Sequence, residues 1–117
     1  LNKQNGILLE KEKNRIVVID HSPNSKIHAI SLADSSVTKL YSTSFNSPDG
    51  IIRDKDRNYY VGGYYLQGMF KIDSEFSRDK LFFEGNSIVY PTYDERTHSI
   101  IITHYNANTW ERVFIKN

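Results

Sequence analysis

Three segments of this 117-residue chain repeat one pattern, and that repeat limits the possible fold more than any other feature. Asn5-Gly6-Ile7-Leu8, Asp49-Gly50-Ile51-Ile52 and Asn86-Ser87-Ile88-Val89 each open a short apolar strand. A charged turn follows each, and then a second apolar strand at 15–20, 58–63 and 99–104. Asp49 lies 44 residues after Asn5, and Asn86 lies 37 residues after Asp49. A repeat near 40 residues made of short strands is the mark of β-propeller blades. Blades stack around an axis, so the recurrent polar residue is expected to face a shared central channel.

The remaining pattern supports an all-β chain. In the first repeat, strands are predicted at 6–11, 15–20, 26–32 and 37–42, separated by turn-forming residues such as Ser22-Pro23-Asn24-Ser25. Alternation in the third of these puts Ile27 and Ala29 on one face and His28, Ile30 and Leu32 on the other. The second repeat predicts strands at 51–54, 58–62, 68–73 and 80–84, and the third at 87–93, 99–104 and 110–116. No apolar periodicity supports a helix. The chain divides into blades at about 1–44, 45–85 and 86–117, one partial propeller domain spanning 1–117, with the fourth strand of the last blade missing. A propeller ring often closes by completing its last blade with a strand from the opposite terminus. Closed rings have typically about 4 to 8 blades, so three blades read as the second half of a longer propeller.

Composition narrows the partners. Apolar residues make up 38% and charged residues 25%, the balance of a folded domain rather than a disordered one. With 15 basic and 14 acidic residues, and no basic cluster, neither nucleic acid nor an anionic membrane is expected as the main partner. No apolar run reaches membrane-spanning length. Cysteine is absent, which excludes disulfides, thiolate nucleophiles and Cys-based zinc sites. The chain begins at Leu1 with no signal peptide, as a piece of a longer protein would.

The first two repeats carry more than a generic blade pattern. Asn5-Gly6-Ile7 running to Val17-Val18-Ile19-Asp20, Ser47-Pro48-Asp49-Gly50-Ile51 running to Asp54-Lys55-Asp56-Arg57-Asn58-Tyr59-Tyr60-Val61, and Gly68-Met69-Phe70-Lys71-Ile72-Asp73 together resemble the SMP-30/gluconolactonase/luciferin-regenerating (regucalcin-like) family. The resemblance covers most of the chain and matches the C-terminal half of that six-bladed fold. It implies a divalent-metal-dependent hydrolase of lactones or related esters, with one cation on the propeller axis. It implies that Asn5, of the Asn-Gly motif, and Asp49, of the Pro-Asp-Gly motif, are metal ligands, and that Asp49 also serves as the catalytic base. A third ligand, a Glu, would lie upstream of residue 1, in the N-terminal half of the ring or in a second chain. Gln4, where the family commonly has Pro, and His21, where it has Ser or Thr, depart from the pattern without removing a ligand.

The chemistry is coherent without the resemblance. A hard cation, Ca²⁺ above all with Zn²⁺, Mg²⁺ or Mn²⁺ as alternatives, takes oxygen from carboxylates and amides. Asn5 and Asp49 supply two of the about 6 to 8 oxygens that Ca²⁺ requires. Glycine after each allows positive φ or close passage of the backbone along the axis. Asn-Gly and Pro-Asp-Gly are also common turn sequences, the competing structural reading. Asn86, His21 and His104 are candidates for lining the channel; His21 and His104 end the second strands of their repeats. Tyr59, Tyr60, Tyr64, Tyr65 and Phe70 either wall a ligand site or pack between blades. A non-catalytic propeller of the NHL-like or strictosidine-synthase-like kind, used as a binding scaffold, is the alternative to a lactonase acting on a small-molecule substrate.

Overall fold

The computed structural model describes residues 3–116. They form three antiparallel sheets, each built from consecutive strands in simple meander order. The first holds β1 (Gln4–Glu10), β2 (Arg15–Asp20), β3 (Lys26–Ser31) and β4 (Val37–Ser42). The second holds β5 (Gly50–Arg53), β6 (Tyr59–Gly62), β7 (Gly68–Ile72) and β8 (Asp79–Glu84). The third has β9 (Thr92–Asp94), β10 (Ser99–His104) and β11 (Thr109–Phe114). Each sheet resembles a propeller blade. Among the described residues no strand of the first sheet pairs with the third, so these three do not form a closed ring. Among the described residues the only helical segment is one 3₁₀ turn, Lys11–Lys13, and no helix is long and apolar enough to cross a membrane.

One strand departs from expectation. The third blade was expected to open with a strand over 87–93, but regular pairing covers only Thr92–Asp94. Upstream, Ile88 makes isolated bridges to Gly63 and His104. Pro91 has no N–H and cannot donate to a ladder, which splits the segment into two short pieces.

The register of the ladders defines the repeat more closely than residue identity does. Leu9 pairs with Ile16, Arg53 with Tyr59, and Tyr93 with Ile100. Positive φ recurs just before each inner strand at Lys3, Ser47 and Ser87, and again in the first hairpin of each blade at Asn14, Arg57 and His98. Aligned this way, Asn5 and Asp49 correspond to Val89, not to Asn86. Asn86 therefore sits three positions upstream of the phase expected for it.

Glycine at 6 and 50 has one physical reason. Neither has positive φ. A Cβ on Gly6 would lie 2.9 Å from the Asp49 carbonyl oxygen, and one on Gly50 would lie 3.0 Å from the Val89 carbonyl oxygen. In both, the glycine of one blade admits the backbone of the corresponding residue in the next. Close passage, not turn geometry, selects glycine there.

Apolar side chains fill the two gaps between the blades. Val17, Ile19, Ile27, Ile51, Tyr59, Val61, Phe70 and Ile72 pack between the first and second sheets. Tyr60, Met69, Ile88, Ile100, Ile102 and Ile115 pack between the second and third. The second blade thus buries both faces, and Tyr59 and Tyr60, adjacent on β6, point to opposite gaps as strand alternation requires. Ile27 and Ala29 are buried as expected, whereas Leu32 is exposed. Outer strands β4, β8 and β11 have no buried residue.

A buried charge closes the first gap at the turn end of the inner strands. Glu10, fully buried at the end of β1, accepts hydrogen bonds from Arg15 Nε at 2.6 Å, from Arg53 Nη1 at 2.7 Å and from the Tyr59 hydroxyl. Arg53 also pairs with Glu12. Burial alone pushes the Glu10 carboxyl upward, but the Tyr59 and Arg15 hydrogen bonds and both arginine charges outweigh it and hold it below the usual 4.5. The same contact and desolvation push Tyr59 up to about 12, so it remains a donor.

Two outcomes follow. Glu10→Gln leaves two arginines without their shared anion and lowers unfolding free energy by about 3 kcal/mol in urea titration at pH 7. Because the folded Glu10 pKa lies below the unfolded one, its contribution is complete above about 4.5 and disappears as pH falls through the lower folded value, so the wild type and the variant converge in acid. Gly6→Ala pushes a methyl against the Asp49 carbonyl and lowers stability by about 1–3 kcal/mol in the same titration; no change would mean that the blades are not held at that distance.

Candidate functional site

Two inner strands bring a polar residue at their starts to the same end of the molecule. Asn5 leads into Gly6 on β1, Asp49 leads into Gly50 on β5, and the glycines bring these backbones together. The side chains meet: Asn5 Nδ2 donates to Asp49 Oδ1 at 2.8 Å. The backbone N–H of Tyr64, in the β6–β7 loop, donates to the other carboxylate oxygen at 2.8 Å. Asp49 is 9% exposed, while Asn5 is open to solvent.

His21, the residue after β2, completes this group. Its Nδ1 lies 3.1 Å from the Pro48 carbonyl oxygen and 3.4 Å from Asp49 Oδ1. Both neighbours are acceptors, so Nδ1 carries the hydrogen and the lone pair of the neutral ring resides on Nε2. Nε2 makes no hydrogen bond among the described residues. Three of the residues singled out from the sequence, Asn5, His21 and Asp49, therefore come together.

His104 and Asn86 belong to a neighbouring place. His104 Nδ1 faces the Asn86 carbonyl oxygen at 3.0 Å, and Nε2 faces Glu111 Oε2 at 2.6 Å. The Asn86 carbonyl and the Glu111 carboxylate favour the protonated ring and raise its pKa above the usual 6.5 against a smaller effect of burial. Asn86, Ser87, His104, Asn106 and Glu111 are among the residues lining a cleft of about 510 Å³. Asn106 links the two places, donating from Nδ2 to the Tyr64 hydroxyl and to Ser87 Oγ, both at 3.1 Å. A cleft of about 420 Å³ beside Tyr65, lined by Phe45, Leu66 and Phe70, includes none of Asn5, His21 or Asp49.

Sequence reasoning missed a second acid cluster. Asp54, Asp56 and His98 each place one ligand atom within 4.8 Å of the others, so they can chelate a divalent cation. They lie at the far end of β5, roughly 16 Å along an extended chain from Asp49. Asp54 already accepts from the N–H groups of Asp56 and Asn58 at 2.9 and 3.0 Å and from the Tyr60 hydroxyl at 2.8 Å. A cation there competes with three donors. The Asp-x-Asp turn facing a histidine one repeat later was the available signal.

An aromatic rim was also only partly legible. Tyr64 stands at 5.1 Å from Tyr65 and 5.7 Å from Tyr105, nearly perpendicular to both, and His21 lies 6.4 Å from Tyr65. Tyr59, Tyr60 and Phe70 instead pack between blades.

No family model matches the chain, and no curated protein sequence matches it. Solved structures do. A gluconolactonase from Xanthomonas campestris superposes with a TM-score of 0.75 at 18% identity, over 98% of this chain and 39% of that one. A streptogramin B lyase superposes with a TM-score of 0.67 at 12% identity, over 98% of this chain and 41% of that one. The chain thus spans about two fifths of the length of the structures it matches. At these identities the likeness is one of fold: three consecutive antiparallel blades arranged as in larger proteins of known structure.

Proposed function

We propose that this chain supplies part of the site of a divalent-metal-dependent hydrolase of lactones or related esters, working in the channel of a larger propeller. One observation carries the reading: Asn5 and Asp49, from adjacent blades, converge at 2.8 Å with His21 beside them. A carboxylate and an amide oxygen are the donors a hard cation selects, and Ca²⁺ suits them best, with Zn²⁺, Mg²⁺ or Mn²⁺ as alternatives. The pair fits such an ion as a fraction of its shell. The rest of the ring, from an N-terminal half or a second chain, provides the remaining ligands.

When bound, the cation polarises the carbonyl of the substrate and lowers the pKa of a water. The chain's own residues do the rest. The Tyr64 N–H holds Asp49 in place, and Gly6 and Gly50 set the spacing of the axial strand ends. Asp49 remains the catalytic carboxylate, in contact with the reacting groups. With both its oxygens engaged, it orients, and His21 Nε2 is the lone pair left to take the proton of the attacking water. The Pro48 carbonyl keeps His21 in that tautomer.

Native mass spectrometry with and without Ca²⁺, followed by pH-stat hydrolysis of glucono-δ-lactone, tests the reading. The expected result is an assembly larger than this chain that takes up one Ca²⁺ per ring and hydrolyses the lactone, with Asp49→Asn weakening calcium binding at least tenfold. Calcium uptake unaffected by Asp49→Asn, or a folded ring indifferent to calcium, would leave a non-catalytic binding propeller as the correct reading.

A further inference from the structure

The ladder register that equates Asn5, Asp49 and Val89 also equates His21, Tyr64 and Tyr105, which lie one, two and one residues beyond the end of the second strand in their blades. Backbone contacts agree: the N–H of His21 donates to the Lys3 carbonyl, and that of Tyr105 to the Ser87 carbonyl, at corresponding positions. All three blades place a flat, unsaturated ring at this point. Tyr65 adds a fourth.

Core packing does not explain these rings. Tyr65 and Tyr105 are 74% and 73% exposed, and Tyr64 is 40% exposed, unlike the buried Tyr59 and Tyr60. They are nevertheless ordered with respect to one another. Tyr65 and Tyr105 stand at 82° and 81° to Tyr64, and the Tyr64 hydroxyl accepts from Asn106. The Tyr64 backbone N–H is the group that holds Asp49, so the rim is attached to the reacting carboxylate. Perpendicular rings with free faces and edges fit the quadrupole of another aromatic ring.

We propose that His21, Tyr64, Tyr65 and Tyr105 form an aromatic collar at the mouth of the Asp49 site that seats a planar aromatic group of the substrate. Aryl esters and lactones fused to an aromatic ring are then preferred over alkyl ones. This inference rests on the hydrolase reading for its substrate class. The collar as a ring-binding site stands apart from hydrolysis, which lets the two fail separately.

The test is saturation-transfer NMR of the full chain with acetanilide, a non-hydrolysable amide counterpart of phenyl acetate, against N-propylacetamide. Acetanilide binds with its ring protons saturated from the tyrosines, and N-propylacetamide binds roughly tenfold more weakly. Tyr105→Leu and, independently, Tyr65→Leu weaken acetanilide roughly tenfold while thermal unfolding shows the fold intact. In hydrolysis, either change lowers the ratio of kcat/KM for phenyl acetate to that for ethyl acetate by a similar factor. Equal binding of the two amides, or acetanilide binding unchanged in both folded variants, overturns the collar. Acetanilide binding that depends on Tyr105 in a protein without esterase activity upholds the collar and removes only the hydrolase reading.

Discussion

Everything at the axial end of the molecule depends on how closely neighbouring inner strands approach. A side chain at position 6 or 50 would meet the backbone carbonyl of the next blade inside van der Waals contact, so only glycine lets the blades converge there. That convergence brings the Asn5 carboxamide to the Asp49 carboxylate and carries the loops after β2, β6 and β10 to a common rim. A widening of a few ångströms between β1 and β5 would separate the polar pair beyond hydrogen-bond reach. The site is therefore a product of packing between blades, and no single blade contains it.

The opposite ends of the same strands solve a different problem. Where β1 and β5 turn back into β2 and β6, charged and hydroxyl groups make the contacts. Glu10 holds Arg15, Arg53 and Tyr59 across the first gap, and Asp54 holds its own turn and Tyr60 at the second. Tyr41 and the Ser44 N–H meet Asp79 farther out, joining the outer strands of the first two blades. Apolar contacts supply most of the stabilisation between the blades, at about 1.5–3 kcal/mol for each fully buried side chain. The buried ions add direction, because a carboxylate that needs three donors admits only one relative position of the two sheets.

Much of this was readable from residue order, because strands with charged hairpins leave a strong period-two pattern. The meander of each blade, the burial of Ile27 and Ala29, and the approach of Asn5 to Asp49 all follow from that pattern and from the recurrence of glycine. The third blade was misread where the recurrence weakens. Asn86-Ser87-Ile88 imitates Asn5-Gly6-Ile7 in composition, yet Tyr90 occupies the glycine position and Pro91 breaks the ladder, so matching by identity slid the alignment by three residues. Backbone φ, which composition does not encode, restores it. The aromatic rim was only partly legible for a related reason: histidine and tyrosine look unlike as letters, and their equivalence emerges only from pairing register. The Glu10 network was invisible because its partners lie 5, 43 and 49 residues away in sequence.

Each of β1 and β5 has a polar residue at its axial end and an acid at its turn end, and the environment decides which acid is available for chemistry. Asp54 is enclosed by donors that its own turn provides, so a ligand must displace them before it can bind. Asp49 is held on one oxygen by a backbone N–H, but its other oxygen is met by Asn5, a solvent-exposed side chain whose amide offers a donor on one side and an acceptor on the other. Exchange of that one contact for a cation requires only rotation of a surface carboxamide. With an imidazole fixed at 3.4 Å and tyrosine rings around the opening, the axial carboxylate combines restraint on one side with accessibility on the other. The turn acid has the restraint without the access, although the three-residue cluster at the turn offers more ligand atoms in one place.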